Sequence, residues 1–155
     1  MLFLLATPEY TNAQSNVTKI RVHLRTGVAE IFDQHQDLMG KIENNLIEIE
    51  TNFEGKVDKT ILIVQDAVFI VSNQGLDADA EVTGTSVYVY AKRALEVNSS
   101  LTVDKVNKDY EAKQLELETT IANTSGMGKD SKVLLLEGDV EFFKKSVGIV
   151  KVLKG

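Results

Sequence analysis

Short apolar segments recur at close intervals through the first 91 residues of the chain. Residues 17–24, VTKIRVHL, alternate between Ile20, Val22 and Leu24 on one side and charged or polar residues on the other, which is the period of a half-buried strand. Turn-forming residues separate such segments, as in TNFEGK at 51–56. Similar apolar segments lie at 28–32, 46–50, 60–64, 67–71 and 86–91. This spacing predicts an antiparallel β-sandwich or barrel rather than alternating strands and helices.

The first residues, MLFLLA, form an apolar run that could be mistaken for a secretion signal. No basic residue precedes the run, and Pro8 and Glu9 end it too early for a signal core or a membrane span. We therefore expect a buried first strand, no direct insertion into a membrane, and membrane association only through a partner.

The periodicity changes after Ser99 and Ser100. Apolar side chains then recur at the spacing of one helix face, at Val103, Val106, Tyr110, Leu117 and Ile121, with Lys113 at the remaining position. A second stripe steps by three and four, like the seam of a packed helix pair, at Val133, Leu136, Val140, Phe143, Val147 and Val150. The segment TSGMGKDS at 124–131 breaks the pattern between them. We predict a helical hairpin at 99–155 after a sandwich domain at 1–98.

The predicted fold class is α+β, mainly β: an N-terminal antiparallel β-sandwich followed by a C-terminal two-helix hairpin. Gly138 and Gly148 each weaken a helix by about 1 kcal/mol relative to alanine. The tail after Gly148 fits a helix or an extended strand, and we favour the helix because Lys151 and Lys154 suit a helix C-terminus. Both stripes are narrow, so the hairpin can fold back on itself and on the sandwich, or open along the helices of another protein.

Charge and composition exclude several functions. The net charge of −6 lies in residues 1–98, which hold 8 Lys/Arg against 14 Asp/Glu, while residues 99–155 hold 9 of each. Neither part offers the basic face that displaces counterions from phosphates, so we expect no nucleic-acid partner. The chain has no cysteine, which excludes disulfides, thiolate nucleophiles and cysteine-bound metal centres.

No motif for catalysis or for a metal is recognisable. The two histidines, His23 and His35, lack the spacing of a metal site, and GMGK at 126–129 lacks the first glycine and the Ser/Thr of a phosphate loop. We expect His23 to lie on the solvent side of its strand, and Glu48 and Glu50 to belong to a solvated face. The sequence predicts no enzyme, no catalytic residue, no metal and no cofactor.

Several short motifs follow one another along the chain. They are Thr7-Pro8-Glu9 after the first strand, Gly27, the apolar pair Ile31-Phe32, His35, Leu38, NLIEIE at 45–50, DAVFIVSN at 66–73 and VYVYAKRALEV at 87–97. In order and spacing, over nearly the whole chain, they resemble the epsilon subunit of F-type ATP synthases, which is equivalent to the mitochondrial delta subunit. The helical hairpin follows where that family has one.

The departures from the family pattern concentrate at residues 30–37. Glu30 stands where a second glycine is usual, and Asp33, Gln36 and Asp37 replace Pro, Ala and Pro. Proline fixes φ and glycine permits positive φ, so we expect a loop of altered stiffness and shape. In the family this end faces the membrane rotor ring, so a changed partner is expected there.

The resemblance implies a non-catalytic central-stalk subunit of an F-type or F-type-like rotary ATPase. Its partners would be a gamma-like shaft, the alpha/beta catalytic head, and either a membrane rotor ring or an altered substitute. It would be intracellular and peripheral to a membrane, on the cytoplasmic face or in an organelle matrix or stroma. LTVDKVNKDYEA at 101–112 does not match the family's ATP-binding motif Ile/Leu-Asp-x-x-Arg-Ala, so we expect no nucleotide site.

Two groups of residues are candidates for partner binding. They are Glu30, Phe32, His35 and Leu38 near the loop, and Val133, Leu136, Val140, Phe143 and Val147 on the second helix. His35 fits a contact with the gamma subunit and an ordinary turn histidine equally well. As a hypothesis, an extended hairpin restrains rotation and ATP hydrolysis. The alternative function is a β-sandwich adaptor whose coiled-coil tail dimerises or docks in an unrelated complex. A third function, that of a lone hydrolase, would require catalytic turnover by the purified chain.

Overall fold

A computed structural model describes residues 1–73, 84–124 and 131–154. The described residues form ten strands and two helices. The strands are β1 Leu2–Ala6, β2 Thr11–Gln14, β3 Val17–Leu24, β4 Gly27–Ile31, β5 Leu38–Ile42, β6 Asn45–Phe53, β7 Lys56–Gln65, β8 Ala67–Ser72, β9 Ser86–Tyr90 and β10 Arg93–Glu96. The helices are α1 Val103–Asn123 and α2 Ser131–Lys154. The mainly β fold with a C-terminal helical hairpin is therefore confirmed.

The strands form two five-stranded sheets. The first sheet has the order β2-β1-β9-β8-β5, and the second has the order β10-β7-β6-β3-β4. Neighbouring strands are antiparallel except for β1 and β9, which run parallel with Leu4 opposite Tyr88. The prediction of an antiparallel sandwich is therefore wrong at this one pair. Between β1 and β9 the chain forms strands of the second sheet, and it then returns to the first sheet with β9 in the same direction as β1.

One hydrophobic core fills the space between the sheets. In β3, Ile20 and Val22 are fully buried in it, while Lys19 and Arg21 point outward, so the alternation predicted at 17–24 is confirmed. The core also takes the inward residues of β1, β8 and β9, namely Phe3, Leu5, Ala67, Phe69, Val71, Val87 and Val89. Burial of a large apolar side chain contributes about 1.5–3 kcal/mol, so this core dominates the stability of the sandwich.

Three strands were not predicted, and each lies at the edge of a sheet: β2, β5 and β10. β2 is the polar segment TNAQ, β5 contains Gly40, and β10 is RALE, a composition typical of helices. Each is held in extended form by pairing with one neighbour, which a local pattern does not reveal.

The C-terminal segment forms a hairpin in which α1 packs against α2. Thr102 caps α1, its side chain accepting a hydrogen bond of 3.1 Å from the backbone N–H of Lys105. Of the stripe predicted for α1, Val106 is buried and Val103, Tyr110 and Leu117 are half-buried, whereas Ile121 is 49% exposed, so the prediction is wrong at the end of the helix. Helix α2 continues to Lys154, which confirms the helical interpretation of the tail.

The narrow stripe predicted for α2 is wrong. Besides the predicted seam, Asp139, Phe142 and Ser146 are buried, so the covered face spans two neighbouring stripes. The Phe142 and Phe143 rings meet edge to face, with centroids 5.2 Å apart, and the Ser146 hydroxyl donates a hydrogen bond of 2.7 Å to the Phe142 carbonyl oxygen. Two adjacent phenylalanines widen the apolar face beyond a strict seam.

By internal contacts, the chain divides into two units, Met1–Val97 and Asn98–Gly155. The predicted break at 124–131 lies partly outside the described residues, and GMGK at 126–129 lies wholly outside them.

Candidate functional site

The loop at 32–37 joins β4 of the second sheet to β5 of the first, so it crosses one end of the sandwich. His35 closes a tight turn, its backbone N–H donating to the Phe32 carbonyl oxygen at 3.1 Å. The His35 ring is half-buried, with Nδ1 2.8 Å from the Gln36 carbonyl oxygen. The histidine therefore has partners within its own turn, and a further contact with a shaft subunit stays a prediction.

Two carboxylates hold this loop to the ends of strands of the first sheet. Asp33 Oδ1 accepts hydrogen bonds from the backbone N–H groups of Gln34 at 3.1 Å and Thr85 at 3.2 Å. The Thr85 N–H is the main cause that lowers the pKa of Asp33 from its ordinary value. Asp37 Oδ1 accepts from the backbone N–H and the side-chain Nδ2 of Asn73, both at 3.1 Å.

Asn73 and Thr85 connect the two carboxylates into one network. The Thr85 hydroxyl donates to Asn73 Oδ1 at 2.6 Å and accepts from the Gln34 N–H at 2.5 Å. Asn73 Nδ2 also donates to the His35 carbonyl oxygen at 2.6 Å. We call these six residues the loop clamp: Asp33, Gln34, His35, Asp37, Asn73 and Thr85. Sequence reasoning found the loop but not Asn73 and Thr85, because they are distant in sequence and belong to no motif.

Apolar side chains flank the loop clamp in solvent. Phe32 is 51% exposed, Leu38 is 38% exposed and Met39 is 69% exposed. The predicted residues Phe32 and His35 thus lie on this loop, and Leu38 begins β5 directly after it, so all three are at one end of the sandwich. Glu30 does not join them, because its carboxylate points to the outer face of the second sheet, 3.1 Å from Arg21 Nε.

The outer face of the first sheet carries a row of apolar residues. Along the row, Met39 pairs with Ile70, Ile70 with Tyr88, Tyr88 with Leu4, and Leu4 with Ala13. We call this surface the apolar face, and it consists of Leu2, Leu4, Met39, Val68, Ile70, Tyr88 and Tyr90, all half-buried or exposed. Among the outward-facing positions of β1, β2, β5, β8 and β9, the charged residue is Lys41. Contiguous apolar surface is typical of interaction sites, so the apolar face is a candidate site.

The amino-acid pattern of three strands indicates the apolar face. β1, β8 and β9 read LFLLA, AVFIVS and SVYVY, apolar at nearly every position rather than at alternate ones. Such strands have two apolar faces, and a two-layer sandwich covers only one of them. The pattern indicated buried strands, and only the sheet order shows that Leu4, Ile70 and Tyr88 meet on the outer face of one sheet.

The outer face of the second sheet is charged instead. Glu48 is its centre: Oε1 is 2.6 Å from Lys59 Nζ, and Oε2 is 2.7 Å from His23 Nε2 and 3.6 Å from Arg21 Nη1. The Glu48 side chain is only 12% exposed, so the expectation of a freely solvated carboxylate is wrong at this position. His23 is half-buried rather than fully on the solvent side, because it is bonded to Glu48.

The Glu48 network lowers the pKa of its central carboxylate. Burial raises the pKa of Glu48, but the hydrogen bonds and charges of Lys59 and His23 outweigh burial and hold that pKa below its ordinary value of 4.5. A group of three or more His, Asp or Glu side chains able to hold a metal ion is not found in the described part of the chain.

The candidate residues on α2 are covered in this structure. Val133, Leu136, Phe143 and Val147 are buried, and Val140 is half-buried. They would reach a partner only if the hairpin opened, so their role in partner binding stays a prediction. Neither described helix is both long enough and apolar enough to cross a membrane.

The chain matches no protein-family model, and its sequence matches no curated protein. Its fold, however, is similar to that of a chain in the cryo-EM structure of the Euglena gracilis mitochondrial ATP synthase, containing OSCP, F1 and the c-ring. The TM-score is 0.59 at 13% identity, over 95% of this chain and 79% of that chain. A chain from the central stalk and c-ring of the Tetrahymena thermophila mitochondrial ATP synthase has a TM-score of 0.49 at 10% identity, over 95% of this chain and 96% of that chain.

At this identity the comparison with the Euglena complex establishes a shared fold. It covers both the sandwich and the hairpin, since 95% of this chain is aligned. The protein therefore belongs to the structural class of a two-sheet sandwich followed by a helical hairpin, a fold that occurs in mitochondrial ATP synthase.

Proposed function

We propose that this protein is a non-catalytic, epsilon-like central-stalk subunit of an F-type or F-type-like rotary ATPase. The observation that carries the proposal is the fold similarity to a chain of the Euglena ATP synthase over 95% of this chain. The motif order at Thr7-Pro8-Glu9, Gly27 and His35 supports it independently. The subunit would be peripheral to a membrane through the complex, with no nucleotide or metal of its own.

The apolar face is the surface proposed to grip the gamma-like shaft. The two outer faces of the sandwich differ in chemistry, and the charged face satisfies its own carboxylates and cations. Covering Met39, Ile70 and Tyr88 with a partner would remove apolar surface from water, at roughly 25 cal/mol for each Å² buried. A rotating shaft needs a firm attachment, which a broad rigid sheet provides better than loops do.

The loop at 32–37 is the proposed contact with whatever lies below the stalk, either a rotor ring or an altered substitute. Phe32 and Leu38 supply apolar anchors, and Gln34 and Gln36 are exposed polar groups. The loop carries Asp33 and Asp37 where the family has prolines, so its partner surface is expected to differ from the usual ring.

The hairpin is proposed to act as a restraint on ATP hydrolysis. The seam of α2 is covered while α1 packs on it, and exchanging α1 for a shaft helix would change the net burial little. A partner that binds the open form more tightly than the closed form would therefore shift the population toward extension.

A tagged full-length chain, expressed in its own cells, tests the proposal. We expect alpha-, beta- and gamma-like subunits to co-purify with it. Ile70→Glu places a charge on the apolar face and should reduce their recovery by about tenfold or more, since a buried unpaired charge is costly. Val28→Glu is the matched control, because Val28 is an exposed apolar residue on the outer face of the second sheet.

The outcomes separate the two parts of the proposal. Recovery of a complex without alpha-, beta- or gamma-like subunits contradicts the stalk function and favours the adaptor alternative. Equal recovery by the Ile70→Glu and Val28→Glu variants contradicts the assignment of the apolar face to the shaft.

A further inference from the structure

The loop at 32–37 has no residue that is rigid by itself. The single proline of the chain is Pro8, outside the loop, and the loop contains no glycine. Gln34 adopts a left-handed conformation with φ of 64°, which costs energy for a residue with a side chain. Hydrogen bonds within the loop, such as that from the His35 N–H to the Phe32 carbonyl oxygen, close its turn, and contacts made from outside the loop add to them.

Asn73 supplies one set of those contacts. Its side-chain amide donates both to the His35 carbonyl oxygen at 2.6 Å and to Asp37 Oδ1 at 3.1 Å, and its backbone N–H donates to the same Asp37 oxygen at 3.1 Å. Asn73 therefore holds the second half of the loop, just before Leu38.

Thr85 supplies the other set and holds the first half. Its hydroxyl accepts from Gln34, the strained residue, and its backbone N–H donates to Asp33. Thr85 is only 1% exposed, and its carbonyl oxygen accepts a hydrogen bond of 3.1 Å from the Leu2 N–H at the start of β1. Since the Thr85 hydroxyl also donates to Asn73, the two residues act on the loop as one unit.

We propose that Asn73 and Thr85 are positioning residues that pre-organise the 32–37 loop, so that Phe32 and Leu38 are already placed for binding. This inference rests on the proposed function, because it assumes that the loop contacts a partner in the complex. Ordering a free residue costs backbone entropy, and a loop ordered beforehand avoids that cost on binding. The clamp would thus order a loop that has Asp33 and Asp37 where the family that the sequence resembles has prolines.

The test compares three variants of the chain, Thr85→Val, Thr85→Ser and Asn73→Ala, by the same two measurements. Thr85→Val keeps the shape of the side chain and removes both hydroxyl hydrogen bonds, whereas Thr85→Ser keeps the hydroxyl and serves as the rescue variant. Hydrogen exchange on the isolated chain reports on the Gln34 and His35 amides, with β6 amides as the internal reference. We expect exchange at Gln34 to rise about tenfold or more in Thr85→Val and to return toward the wild-type rate in Thr85→Ser.

Binding is measured by competition in cells. Wild-type and variant chains carrying different tags are co-expressed, and their ratio is determined in membrane-bound complexes purified through a gamma-like subunit, which retain the partner below the stalk that the loop is proposed to contact. We expect Thr85→Val and Asn73→Ala to be outcompeted about tenfold at equal soluble levels, and Thr85→Ser to compete within about twofold. A purely structural role would lower soluble levels without changing the ratio.

Each outcome is decisive. If wild-type chain is absent from complexes purified through a gamma-like subunit, the proposed function fails and this inference falls with it. If the wild-type chain is present, and Thr85→Val loosens the loop yet competes equally, the inference alone is overturned. Unchanged exchange at Gln34 in both Thr85→Val and Asn73→Ala also overturns it, because the clamp then does not order the loop.

Discussion

The packing of the sandwich leaves no room for a side chain at Gly40. A Cβ at Gly40 would lie 2.6 Å from Cε1 and 2.8 Å from Cζ of Phe69, a ring that is itself fully buried. The ring has no room to move in a packed core, so β5 can approach β8 only with glycine at this position.

We predict that Gly40→Ala lowers the free energy of unfolding by about 1–3 kcal/mol. Urea denaturation followed by circular dichroism measures the change. Gly138→Ala is the control, because nothing lies within 4 Å of a Cβ at that position. A Gly40→Ala protein as stable as the wild type would show that Phe69 has space the structure does not provide.

Glu48 is the residue at which pH should act on the sandwich. Its pKa is held below 4.5, so the folded protein binds fewer protons than the unfolded chain near that pH. The contribution of Glu48 to stability is therefore complete above about pH 4.5. It is lost as the pH falls below this value and through the lowered pKa of Glu48 in the folded protein.

We predict that Glu48→Gln lowers the free energy of unfolding by about 1.5 kcal/mol at pH 7, because Lys59 and Arg21 lose a charged partner. The difference from the wild type should shrink at pH 3. Glu50→Gln is the control, since Glu50 is more exposed and pairs with Lys19 at 3.5 Å, and it should cost about 0.5 kcal/mol or less. A gap between Glu48→Gln and the wild type that is constant from pH 7 to pH 3 would contradict this linkage.

Among the secondary-structure elements, α2 contains two glycines that lower its helical stability. Gly138 and Gly148 lie inside the helix, and a Cβ would meet no atom within 4 Å at either position. Glycine in a helix interior costs about 1 kcal/mol relative to alanine because the unfolded chain has more freedom.

We predict that Gly148→Ala raises the free energy of unfolding of the hairpin by about 0.5–1 kcal/mol. Thermal unfolding monitored at 222 nm measures it. Ser146→Ala, two residues away, is the control. The buried Ser146 hydroxyl donates a hydrogen bond to the Phe142 carbonyl oxygen, so removing it should not stabilise the helix by a comparable amount. A destabilised Gly148→Ala protein would mean that this part of α2 requires glycine for another reason.

At the scale of the whole molecule, the sandwich has a core of its own. All members of the main buried cluster lie between Phe3 and Ala91, and the unit Met1–Val97 is compact by itself. The stability of the sandwich therefore does not depend on residues of the hairpin for its central packing.

We predict that a chain of residues 1–98 folds cooperatively, with a β-type circular dichroism spectrum and a single unfolding transition. If the proposed function is correct, this chain should also enter the complex and leave its ATPase rate unchanged or raised. A truncated chain that is unfolded would show that the sandwich requires the hairpin, and loss of assembly by a folded truncated chain would contradict the role of the apolar face.

Local periodicity in the sequence was enough to identify element types. The alternation of Ile20 and Val22 with Lys19 and Arg21 indicated β3, and the spacing from Val133 to Val150 indicated α2, because side-chain direction follows directly from backbone geometry. The resemblance in motif order led to the loop that carries Phe32, His35 and Leu38. These features depend on residues close together in the chain.

The tertiary structure decided the features that join distant residues. Edge strands β2, β5 and β10 exist because a neighbour supplies their hydrogen bonds, and Asn73 and Thr85 reach Asp37 and Asp33 only when two sheets meet at one end. The same strand order places Leu4, Ile70 and Tyr88 side by side on the apolar face. Periodicity gives the direction of a side chain, whereas which neighbour covers it depends on how the strands are arranged in space.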